Sequence, residues 1–207
     1  MSVVRKCAKA RCAMTRLLMW GAVVGLLAAC QPTLQADVTR FYSLPPVPAG
    51  KSFAISPESG QATDLEFQHY AAQVSGAMQS KGFRLATPGP EQSDLVAVLH
   101  YGTNGSRTEI YSDPAPAWGH PGWRGWYGGF PPPQINSYTL YSEFLDVALF
   151  DGAAWRTGER RPLFQGRVVA DSGVRDLNVA MPYLIQALFQ DFPGVNGQTV
   201  RVTVPLQ

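Results

Sequence analysis

The chain has 207 residues, 45% of them hydrophobic, with three cysteines and a formal net charge of +2. That length and apolar content suffice for one domain with a proper core and are short for two large ones. Five of the 17 Lys and Arg residues (Arg5, Lys6, Lys9, Arg11 and Arg16) lie in the first sixteen residues, which hold no acid. Residues 30–207 therefore carry 12 bases against 15 acids, a balance that argues against a nucleic-acid partner.

Behind the basic run, Leu17 to Ala29 forms an apolar stretch of thirteen residues. It has the length of a signal-peptide core and is well short of the ~20 residues that span a bilayer. Its end, Leu27-Ala28-Ala29-Cys30, resembles the lipobox of bacterial lipoproteins, in which the cysteine receives diacylglycerol before cleavage. Residues 1–29 are thus expected to be a cleaved signal peptide. Cys7 and Cys12 would leave with it, and Cys30 would remain as a single thiol, chemically capped by diacylglycerol and an N-acyl chain. At ~0.8 kcal/mol per buried CH₂, two or three acyl chains give lasting membrane attachment. Gln31 follows the cysteine where an Asp commonly signals inner-membrane retention, so the expected location is the outer membrane, facing the periplasm.

Residues 30–37 read as a short polar tether and residues 38–207 as one α+β domain. Val38 to Leu44 and Lys51 to Ser56 predict two strands, each stopped by proline. Thr63-Asp64-Leu65-Glu66 has the capping-box pattern, with Thr63 as the cap. Phe67, Tyr70, Ala71, Val74, Ala77 and Met78 then recur at helical spacing up to Gly82. Gly82–Leu85 and Leu95–Tyr101 predict a short strand and a central one. Ser137–Phe150 and Leu163–Ala170, joined through an Asp151-Gly152 turn and a polar stretch, predict a hairpin. Leu177, Met181, Leu184, Ile185, Leu188, Phe189 and Phe192 predict a second helix ended by Pro193-Gly194, with Pro182 tolerable only near its first turn. Thr199–Val204 alternates cleanly as a last strand. The order β-β-α-β-β-β-β-α-β predicts a mostly antiparallel sheet with two helices packed on one face.

With these elements in place, residues 38–193 resemble the bacterial lipoprotein family called domain of unknown function 4136. The carriers are Ser52-Phe53-Ala54, Lys81-Gly82-Phe83-Arg84-Leu85, Ser93-Asp94-Leu95, the strand Phe144 to Asp151, Phe164-Gln165-Gly166 and Phe192-Pro193. Ile55 stands where the family commonly has an aromatic residue, and the connection from Asp151 to Leu163 is longer. The resemblance implies an envelope lipoprotein with an α+β domain. It transfers no biochemical activity.

No catalytic or metal motif stands out. His69, His100 and His120 are isolated, with no His-x-x-x-His or Cys-x-x-Cys spacing, and Ser75 and Ser106 lack a nucleophile elbow. Neither a metal nor a cofactor is expected, apart from the covalent lipid. The unusual segment is residues 112–136, which hold six prolines, five glycines and the aromatics Trp118, Trp123, Trp126, Tyr127 and Phe130. Such a composition predicts a long loop between two strands. Its rings can stack on saccharides, sit at lipid-headgroup level or dock into another envelope protein; equally, they can fold back over a sheet face or belong to a tolerated insert. Trp118, Trp123, Trp126 and Tyr127 are the candidate binding residues. The functional expectation is a non-enzymatic binding or assembly module, tied to a membrane by its lipid, with an envelope protein or glycan as partner. The alternatives are an accessory subunit of a transport or secretion assembly and, behind it, an enzyme acting on envelope glycans or lipids.

Overall fold

The computed structural model describes residues 32–43, 50–58, 64–86, 92–113, 134–173 and 175–206. The chain divides into a compact unit, Leu34–Val204, and a second formed by Met1–Thr33 and Pro205–Gln207. In the second, residues 32, 33, 205 and 206 are described, and the Leu206 amide donates to the Pro32 carbonyl (2.8 Å).

The main unit is built on seven strands: β1 (Thr33–Tyr42), β2 (Ser52–Pro57), β3 (Arg84–Leu85), β4 (Leu95–Asp113), β5 (Gln134–Asp151), β6 (Pro162–Ser172) and β7 (Gln198–Pro205). Their order in the sheet is β3-β2-β4-β5-β6-β1-β7. The β4-β5-β6-β1 series is antiparallel, while β2 runs parallel to both β3 and β4. Among the described residues three helices accompany it: α1 (Leu65–Ser80), α2 (Gly152–Arg156) and α3 (Leu177–Phe189). The mostly antiparallel α+β architecture expected from the sequence is what forms.

Strand alternation decides which residues meet the helices. Leu99, Leu145, Val147, Leu149 and Val168 point to one side and are almost wholly buried, beneath Tyr70, Val74 and Met78 of α1 and Met181, Leu184 and Leu188 of α3. The Tyr70 hydroxyl donates to Asn178 Oδ1 (2.8 Å), joining the two helices. Gly166 sits where α3 crosses β6. A Cβ there would come within 2.8 Å of Leu188 Cδ1 and 2.9 Å of the Phe164 ring, so only glycine lets the helix approach this closely.

The last turn of α3 ends over β1. Arg40, 3% exposed on the covered side, donates from Nε and Nη2 to the Leu188 carbonyl (3.2 and 2.8 Å) and from Nη2 to that of Ala187 (3.1 Å). A buried guanidinium thereby satisfies carbonyls that have no partner inside the helix, at the negative end of its dipole.

The family-defining residues turn out to be structural. Ser52 donates from its amide and hydroxyl to Asp94 Oδ2 (2.8 and 2.7 Å), and the Asp94 amide returns a bond to Ser52 Oγ (3.0 Å). This reciprocal pair fixes the register where β2 meets β4, and its bonds hold the Asp94 carboxyl below its ordinary range. Phe192 lies against Phe83, Phe164 and Phe189, with ring centroids 4.9–5.9 Å apart.

Several boundaries differ from expectation. Strand β1 starts at Thr33, because Leu34 and Ala36 continue the inward alternation of Val38, so the segment expected to be a tether is largely strand. Asp64 caps α1 by accepting from the Phe67 amide (2.8 Å); Thr63 lies outside the described residues. Asp151 caps α2 instead of making a tight turn, accepting from the amides of Ala153 and Ala154 (2.9 and 3.0 Å). The long 151–163 connection thus houses a helix. Pro182 lies in the second turn of α3, where the Asn178 carbonyl loses its i+4 donor, and the helix continues on the strength of its buried face.

Candidate functional site

Two features of the main unit are exposed and unusual. The first is an arm. Strands β4 and β5 continue past the sheet body, pairing from Ser106↔Tyr141 to Asp113↔Gln134 after a register shift between Thr103 and Ser106. Among the described residues, no third strand pairs with β4 or β5 beyond Tyr141. Residues 112–113 and 134–136 of the predicted 112–136 loop are therefore strand, and residues 114–133 lie outside the described residues.

Alternation gives the arm two faces. Ile110 and Ile135 share one and are 72% and 73% exposed. Tyr111 and Tyr138 share the other, with ring centroids 5.9 Å apart, and both rings are exposed. Glu109 accepts from Arg107 Nε (3.1 Å) and from the Tyr138 hydroxyl, and Arg107 also reaches Asp171 (3.0 Å) at the sheet body. Arg107 and Glu109 are thus paired, and beside them the arm exposes two aliphatic and two aromatic side chains.

The second feature is a cleft of about 420 Å³ on the sheet face away from α1 and α3. It lies over two adjacent rungs. One is polar, with His100, Asp146, Arg167 and Thr39 aligned across β4, β5, β6 and β1; the next is mainly apolar, with Val98, Ala148, Gln165 and Phe41. Short side chains at Val98 and Ala148 form the floor, and Phe150 and Phe41 bound it.

His100 Nδ1 lies 3.3 Å from Glu58 Oε2 and 3.5 Å from Asp146 Oδ2, and Arg167 Nε lies 3.4 Å from Asp146 Oδ1. Phe144 sits beneath, its ring 5.0 Å from the His100 ring and 5.5 Å from the Arg167 guanidinium. Burial raises the Asp146 carboxyl above its ordinary range, against the opposing influence of Arg167 and His100. A single imidazole nitrogen thus faces two carboxyl groups, and among the described residues Asp146 Oδ1 accepts no hydrogen bond.

Cys30, Trp118, Trp123, Trp126 and Tyr127, the residues singled out by sequence, lie outside the described residues, as does His120. His69 contacts Gln73 (2.8 Å) on the exposed side of α1 and belongs to neither feature. His100 joins Glu58, Asp146 and Arg167, a grouping that sequence inspection missed. Its sequence signal is a pair of charges, Asp146 and Arg167, each next to apolar residues of its strand. Among the described residues, no three His, Cys, Asp or Glu side chains are placed to hold a metal ion, and no helix is long and apolar enough to cross a membrane.

The family model described as Domain of unknown function (DUF4136) matches residues 37–194. No curated protein matches the chain. Among solved structures, it is similar to a PDZ domain protein from Parabacteroides distasonis, at 11% identity and a TM-score of 0.43, over 84% of this chain and 40% of that one. The chain thus spans less than half the length of that protein. It is also similar to the PelC dodecamer from Paraburkholderia phytofirmans, at 10% identity and a TM-score of 0.41, over 75% of this chain and 97% of that one.

Proposed function

We propose, from the premise that this chain belongs to the DUF4136 family over residues 37–194, that it is a cell-envelope lipoprotein acting as a non-enzymatic binding or assembly module. In this reading Cys30 carries the lipid, the domain faces the periplasm from the outer membrane, and the β4–β5 arm contacts a protein partner. The observation that carries the reading is the arm itself: Ile110, Ile135, Tyr111 and Tyr138 remain exposed on a projecting ribbon where Arg107 and Glu109 are already paired. Exposed aliphatic and aromatic side chains on a two-stranded ribbon cost solubility unless another surface covers them. The same patch favours the more specific reading, an accessory subunit of a transport or secretion assembly. In the open-face cleft, His100 Nδ1 and Arg167 Nε lie 3.5 and 3.4 Å from the two Asp146 oxygens, too long for strong hydrogen bonds, which leaves the carboxyl free to hold a ligand's polar group.

The test places photoreactive groups at Tyr111 and Ile135 in the full-length protein, beside Cys30→Ser. The wild type is expected to gain the mass of its acyl chains, to fractionate with membranes and to capture one reproducible envelope protein. Cys30→Ser should lose the lipid and enter the soluble fraction. Equal mass and partitioning of the two proteins would sink the lipoprotein reading; an arm that captures nothing in intact cells would sink the assembly reading.

A further inference from the structure

The open-face cleft is built from residues apart from the arm, and its chemistry points to a ligand on its own account. Its donors and acceptors do not balance. Glu58 and Asp146 present four carboxylate oxygens, while the donors nearest them are one imidazole nitrogen, at 3.3 and 3.5 Å, and one guanidinium nitrogen, at 3.4 Å. All three distances are long for charge-assisted hydrogen bonds, which run to ~2.7–2.9 Å. Asp146 Oδ1 is buried and accepts none from the described residues. Apart from His100, the polar rung and Glu58 set two carboxyl groups against the single guanidinium of Arg167. A ligand that complements this end must donate hydrogen bonds and carry positive charge.

The adjacent rung sets the rest of the ligand. Val98 and Ala148 leave a low apolar floor between Phe41 and Phe150, one residue pair along the strands from the carboxylates, a spacing of ~6.8 Å. Phe41 is 53% exposed, so a flat hydrocarbon surface faces the cleft from β1. A volume of about 420 Å³ falls within the ~300–1,000 Å³ of small-ligand sites. An aliphatic stem of four or five carbons spans the two rungs, burying its methylenes on the floor while its head remains among the carboxylates.

We propose that this cleft binds a primary ammonium group carried on an aliphatic stem, with Glu58 and Asp146 accepting its hydrogen bonds and Val98, Ala148, Phe41 and Phe150 covering its methylenes. A free diamine and a lysine side chain share this chemistry. Three ammonium hydrogens match the surplus acceptors, and a compact point charge fits beside Arg167, whereas a second planar guanidinium would crowd it.

The test titrates the full-length protein in detergent with 1,5-diaminopentane and with Nα-acetyl-lysine methylamide, and follows heat and the His100 ring resonances. Saturable binding is expected for at least one of them, falling with added salt. Asp146→Asn and Glu58→Gln should each weaken it by about 10-fold or more, the loss that goes with a charge-assisted hydrogen bond. Glu58 is half-exposed, so its variant folds whatever Asp146 contributes to stability. Arg167→Met, which removes the competing cation, should strengthen binding. Preference for the diamine assigns the site to a free amine; preference for the lysine derivative assigns it to a side chain of a partner. The proposal is overturned if 1-pentanol or Nε-acetylated lysine binds equally well, if both carboxamide variants bind as the wild type does, or if neither amine saturates. Capture of a partner by the arm has no bearing on these outcomes, so the two readings fail separately.

Discussion

Glu143 and Asp146 stand three residues apart on β5 and face opposite sides of the sheet. Burial holds both carboxyls above their ordinary range, yet their surroundings differ in kind. Glu143, on the side that α1 and α3 cover, is wholly enclosed; Ser172 Oγ donates to its Oε1 (3.0 Å), while Oε2 has no hydrogen-bond partner among the described residues. Asp146, on the open side, keeps about a third of its side chain in solvent and has Arg167 and His100 at hand. On the covered face an ionised group opposes folding. On the open face the same group remains available to a ligand, which is why the cleft and not the core is the place to look for binding.

The comparison can be broken hardest from the covered face. Leu145→Ala removes a wholly buried side chain between these two carboxylates and is expected to cost ~2–5 kcal/mol of stability in denaturant unfolding. A loss under ~1 kcal/mol would mean that the helices do not pack on this face as described.

Glu143→Gln sharpens the same contrast through pH. Because burial raises the folded-state value, the native protein holds the Glu143 proton more tightly than the unfolded chain does. Its contribution therefore favours folding at low pH and is lost as pH rises from the ordinary carboxylate range through the raised value. The variant should raise Tm more at about pH 8 than at about pH 4.5. An equal change at both values would remove Glu143 from the titration.

The smallest effect belongs to the open face. Arg201 pairs with Asp37 through Nε and Nη2 (2.8 and 3.1 Å), but both side chains are largely exposed and screened by salt. Arg201→Ala is expected to leave Tm essentially unchanged. A marked drop would show that the open face is covered in the folded protein, and would count against a free cleft.

Much of this architecture was legible in residue order. The apolar period of Phe67, Tyr70, Val74 and Met78 announced α1, the run Leu95 to Leu99 announced a central strand, and the alternation Thr199 to Val204 announced β7, because burial on one face imposes a period that the residues themselves display. The ends were less legible. Whether Thr63 or Asp64 caps α1 turns on one hydrogen bond, and how far β4 and β5 continue depends on their pairing with each other, which neither segment shows alone. The resemblance of Leu27-Ala28-Ala29-Cys30 to a lipobox is legible because such a signal is local, a string of adjacent residues.

The cleft is of the other kind. His100, Asp146 and Arg167 are separated by 46 and 21 positions, and each taken alone is an unremarkable surface residue. Only the register of β4 on β5 and of β5 on β6 sets them side by side, and only the placement of both packing helices on the opposite face leaves them open. Local periodicity determined the strands, the two packing helices and the buried side of each. The site was decided by tertiary structure, because a register is a relation between distant segments and a face becomes a surface only when nothing packs upon it.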